Sequence, residues 1–188
     1  MGDEMGISLA ICSLSEKREA MLREDPALVW DLSRDVPGYL EVGKAWDALR
    51  VAAQPFDSEA LMSNLFGGAL GKSFGEPGGF GKPRIVPKFE VARLAAVMGD
   101  IPPRFMRDNA GSLRGIDVHG RFFHVDNDEG QTPDAVLESE FPELADLADV
   151  GDDTFDATLE RLEDTFERVR ALVVRASERG EALLVVFR

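Results

Sequence analysis

"FDATLERLEDTFERVRALVVRASERGEALLVVF", residues Phe155 to Phe187, is the stretch that decides the fold. Phe155, Leu159, Leu162, Phe166, Val169, Val173 and Ala176 recur at alternating four- and three-residue steps. That spacing lines them up on one side of an α-helix of about six turns. Glu160, Glu163, Glu167, Arg168 and Arg175 take the exposed side, and Gly180 stands where a helix ends on a left-handed residue. "EALLVVF" follows at once as a strand. An apolar stripe of this kind also suits a coiled-coil seam, but only three heptads are present and a strand comes straight after. Packing on the protein's own sheet is therefore the expectation.

A strand needs neighbours, and the other end of the chain offers one. "GISLAICSL", Gly6 to Leu14, is rich in Ile and Leu, bounded by Gly6 and by the polar "SLSEK", and too short for a core helix. It reads as a buried strand, so the first and last elements are expected in one sheet. A helix follows over "EKREAMLRE", capped from Ser13, which has the capping-box spacing to Glu16, or equally from Ser15. Asp25 and Pro26 start a second helix, "ALVWDLSRD", which Pro37-Gly38 breaks. "VGKAWDALRVAAQ" puts Val42, Trp46, Leu49 and Ala53 at helical spacing, with Trp46 toward the core, and Asp57 or Ser58 caps "SEALMSNLF".

Seven of the fifteen residues from Gly67 to Gly81 are glycine, which makes 67–83 a long loop. "RIV" then reads as a brief strand. Pro87 opens a helix through "KFEVARLAAVM", its apolar side formed by Phe89, Ala92 and Ala96 with Val91 and Leu94, and "PPRFMRD" suggests a short further helix. No repeat or linker divides the chain, and 188 residues suffice to bury roughly 70% of the unfolded surface. The expected class is α+β: a single compact domain over 1–188, with a small mixed or antiparallel sheet holding the N- and C-terminal strands. Several helices pack that sheet, including the long C-terminal one.

Charge is unevenly spread. The net value is −14, and the segment from Phe122 to Glu160 has thirteen acids with no Lys or Arg. Lys82 to Arg121 leans the other way, with eight bases against four acids. An acidic chain of this kind is not built to neutralise nucleic-acid or lipid phosphates, so neither is expected as a partner. The acidic stretch reads either as a solvated surface that keeps the protein soluble or as a face that steers in a basic partner. Cys12 lies alone in an apolar run, which points to a core thiol and a reducing compartment. The acidic "MGDEM" start and the lack of any membrane-length apolar run place the protein in the cytoplasm as an expectation.

Several motifs approach a known chemistry and miss. "GGALGKS", Gly67 to Ser73, has too few residues before its Gly-Lys pair for a phosphate loop, follows a helix instead of a strand, and precedes a segment that cannot be helical. His124, Asp126 and Asp128 share a face if extended, yet the calcium-loop positions that follow are Gly130 and Leu137. A weak surface metal site or a set of turn-forming acids are the two readings, and no metal or cofactor is expected. No serine sits in a nucleophile elbow, and the two histidines, His119 and His124, neither indicate a triad nor rule one out.

Three stretches carry a family resemblance. They are "VGKAWDALR" with Lys44, Trp46 and Leu49; "GGALGKSFGEPGGFGKPRIVPKFEVARLAAVM" with the Gly67-Gly68 pair and the turn Gly81, Lys82, Pro83, Arg84; and the closing helix, Gly180 and strand. In this order along the chain they resemble the YfbM-like family, a bacterial domain of unknown function. The resemblance implies a compact α+β domain with no assigned reaction, and it makes residues near 126–153 an acidic insertion. It also implies that the Gly-rich segment is a loop leading to "PRIVP". A loop of that length is often functional, so Trp46, Gly67, Gly68 and Arg84 are the candidate pocket or contact surface, against the alternative that they fold the loop over a core tryptophan. Two functions remain in view: a non-catalytic interaction module whose acidic flank meets a basic protein, and a small-molecule-binding protein or enzyme with the Gly-rich loop as lid.

Overall fold

The computed structural model describes residues 8–31, 38–43, 45–75, 81–102, 104–108 and 152–187. At its centre lie the two strands expected from the chain ends, β1 (Leu9–Leu14) and β5 (Ala182–Phe187). They pair antiparallel along their full length, from Leu9 opposite Phe187 to Leu14 opposite Ala182. β2 (Tyr39–Gly43) flanks β1; β4 (Arg84–Val86) flanks β5, and β3 (Lys72–Ser73) lies outside β4. The order is β2-β1-β5-β4-β3, and every pairing is antiparallel.

Side chains alternate across the pleat, so this register sorts the apolar residues into two sets. Leu9, Ile11, Leu40, Val42, Val86, Leu183 and Val185 join one core cluster, and Cys12, Leu14, Ile85, Ala182, Leu184 and Val186 join another on the opposite face. The continuous apolar runs of β1 and β5 thus follow from burial on both sides. Five helices cover the first face: α3 (Trp46–Ala53), α4 (Leu61–Phe66), α5 (Lys88–Gly99), α6 (Phe105–Asp108) and α7 (Asp152–Glu178). The second face takes α1 (Glu16–Glu24) through Leu22 and α2 (Leu28–Asp31) through Val29. The molecule is a single α+β domain.

Local chemistry sets the ends of these helices. Ser15, not Ser13, caps α1, its hydroxyl accepting from the Arg18 amide. The Asp57 carboxylate accepts from the amides of Met62 (3.1 Å) and Ser63 (2.7 Å), occupying two of the donors that the start of α4 leaves open. Just before that helix Ala60 takes a left-handed conformation, φ +56°. α7 buries Leu159, Leu162, Phe166, Val169, Val173 and Ala176 of the expected stripe, with Leu172 added, while the side chain of Phe155 lies outside what is described. Gly180, at φ +63°, ends it. Arg170 ties α7 to the end of α5, donating from Nη1 to the carbonyls of Met98 (3.2 Å) and Ile101 (2.9 Å).

Three expectations are corrected. Val42 lies within strand β2 and does not open a helix, which begins only at Trp46. The strand alternates as an edge strand should: Leu40 and Val42 are buried, while Tyr39 and Glu41 turn to the other face, where Glu41 accepts from the hydroxyls of Ser8 and Tyr39. The segment 67–83 is not wholly loop, since Lys72 and Ser73 pair with Ile85 and Arg84 as the outer arm of a hairpin. Finally, α5 turns Val91, Leu94 and Met98 inward and leaves Phe89, Ala92 and Ala96 outside, Phe89 at 62% exposure. Pro87 joins α5 directly to β4 and so fixes the helix's rotation, and the phase it sets buries the branched and long side chains. The acidic insertion near 126–153 falls almost wholly outside the described residues, as do His119, His124, Asp126 and Asp128.

Candidate functional site

Trp46 begins α3 and is half-buried against the core. Its indole meets the Phe187 ring edge-on, with centroids 5.3 Å apart and planes at 89°. Phe187 in turn lies against Gly68. A Cβ on Gly68 would stand 2.5 Å from Phe187 Cε2, and its backbone is left-handed at φ +66°, so both space and conformation require glycine there. Gly67, one residue earlier, ends α4 with its Cα facing the Ser63 carbonyl and the Arg50 stem.

Arg84 meets the same segment a little further on. It sits opposite Val185 on β5, on the face that also carries Phe187. Its Nε donates to the Leu70 carbonyl (3.0 Å) and its Nη2 to the Gly71 carbonyl (2.7 Å). Those two acceptors are held close to the sheet because Gly71, φ +81°, packs directly on the backbone of β4. Beyond β3 the Phe74 amide donates to the Pro83 carbonyl, the Phe74 ring packs among the second-face residues, and Gly75 abuts Pro26. Residues 67–75 therefore run as a strap from one face of the sheet, around its β3 edge, to the other.

The four sequence candidates divide accordingly. Trp46 and Gly68 come together through Phe187, Gly67 precedes them at the end of α4, and Arg84 fastens the strap at Leu70 and Gly71. Phe187 was not among the candidates; its signal was an aromatic residue closing an otherwise aliphatic strand. Lys72 and Ser73 of the "GKS" triplet are themselves strand β3, where a phosphate loop would open a helix.

Cys12 is buried on the second face, where desolvation pushes its thiol above the ordinary value, and it donates to the Ser13 carbonyl at 3.4 Å. A thiol held neutral in this way is a packing residue, not a nucleophile. Among the described residues no group of three or more His, Cys, Asp or Glu is placed to hold a metal ion.

A second feature is electrostatic. Residues 152–167 of α7 include seven acids, Asp152, Asp153, Asp156, Glu160, Glu163, Asp164 and Glu167, against the single base Arg161. Residues 168–179 reverse the balance, with Arg168, Arg170, Arg175 and Arg179 against Glu178. The helix dipole favours acids in the first turn only, whereas this run extends over about four turns. Glu160, Asp164 and Glu167 are exposed. Arg107 of α6 approaches Glu163 at 3.3 Å and Glu160 at 3.7 Å, and Arg170 pairs with Glu167.

No protein-family model matches the chain, and no curated protein matches it by sequence. Among solved structures, YfbM from Escherichia coli, described as a protein of unknown function, superposes with a TM-score of 0.60. The alignment spans 96% of this chain and 99% of that one at 13% identity. The fold is YfbM-like. At that identity the likeness concerns the fold alone, and neither the strap of this YfbM-like domain nor its acidic helix acquires a role from it.

Proposed function

We propose that this chain is a cytoplasmic, non-catalytic interaction module that recognises a basic protein through an acidic surface. One observation carries the reading: the segment from Phe122 to Glu160 holds thirteen acids and no Lys or Arg, and the run of acids continues along α7 to Glu167, where exposed carboxylates are spaced one helical turn apart. Glu160 and Asp164 stand at i and i+4, where like charges repel; Arg107 offsets this in part at 3.7 Å from Glu160, and a cationic partner relieves it further as it binds. The fastening of residues 67–75 by Arg84, Gly68 and Gly71 favours a structural role for that part of the Gly-rich segment over a hinged lid. The cytoplasmic placement draws on the lone buried thiol, with no described helix long and apolar enough to cross a membrane.

The test compares wild type with the triple variant Glu160→Gln, Asp164→Asn, Glu167→Gln in affinity capture from the native host at low and moderate salt. The reading expects a basic protein that wild type retains at low salt, that moderate salt weakens, and that the triple variant holds several-fold less well. Failure to recover a basic partner at either salt, or equal capture by both proteins, overturns it.

A further inference from the structure

We draw no further inference here: the strongest candidate, the solvent-facing side of α5 around Phe89, flanked by the Lys88–Glu16 and Arg93–Glu59 ion pairs, is an apolar patch for which nothing in the structure shows what covers it.

Discussion

Replacing Gly71 by alanine tests the strap at its tightest point. At φ +81° the new methyl group enters a conformation that costs an L-residue about 1–2 kcal/mol. It also arrives 2.4 Å from the Ile85 carbonyl oxygen, 2.7 Å from the carbonyl carbon and 2.9 Å from Val86 Cα. These are backbone atoms of a strand bonded to β5, so the strap must move instead. Lifting it breaks the two bonds from Arg84, a charged donor whose hydrogen bonds are worth about 1.5–3 kcal/mol each at best. Strain and partial loss of those bonds together predict a destabilisation of about 3–4 kcal/mol for Gly71→Ala. Gly99→Ala is the matched control, because a Cβ at the end of α5 meets open space without positive φ. It should gain roughly 0.5–1 kcal/mol through a stiffer unfolded chain. Urea unfolding measures both, with a shifted midpoint and an unchanged slope for a pure stability effect. If the two variants fall within about 0.5 kcal/mol of each other, the close packing of the strap on β4 is wrong.

Other substitutions probe separate links. Arg84→Met keeps the aliphatic stem but removes both donors to Leu70 and Gly71, and is expected to cost about 1–3 kcal/mol; hydrogen exchange should accelerate in residues 67–75 well before β1 and β5, and uniform acceleration would contradict a local fastening. Ala60→Gly should stabilise by about 0.5–1 kcal/mol, since relief of the left-handed strain at φ +56° outweighs the added chain entropy; a fall in melting temperature refutes that balance. Burial raises the Cys12 thiol above its ordinary value, so its contribution to stability is complete below that value and declines as pH climbs through the folded-state value. A thiol reagent at mildly alkaline pH should therefore label Cys12 no faster than the protein opens, and immediate labelling of the native protein would place the residue at the surface.

How much of this was legible in the residues depends on how local each signal is. α7 and β5 were readable because one strong period of seven apolar positions ends at a glycine and gives way to an unbroken apolar run. β1 was readable for the second reason alone. β2 was missed because Val42 satisfies a strand alternation with Leu40 and a helical spacing with Trp46 at once, and only pairing with β1 decides between them. β3 left no mark, since both of its residues are exposed and its two-residue pairing is imposed by β4. The phase of α5 was ambiguous between two stripes until the Pro87 junction selected one. At the candidate site the glycines were conspicuous, but their reasons lie far away in sequence: Phe187 for Gly68 and the β4 backbone for Gly71. Arg84 bonds main-chain carbonyls, which every residue type supplies, so no partner could be named from composition.

The place of β5 between β1 and β4 has a consequence for the order in which the sheet can assemble. β1 can pair nearby only with β2, and β3 and β4 form a hairpin that cannot join them without β5. The strand that unites the two halves lies far from β1 in sequence, so closing Leu9 against Phe187 carries a large loop-closure cost. Until that closure the most apolar strands stay uncovered, so joining the two halves is expected to be the slow step of folding and the one most exposed to aggregation. Without the six residues of β5, the β1–β2 pair and the β3–β4 hairpin would no longer belong to one sheet.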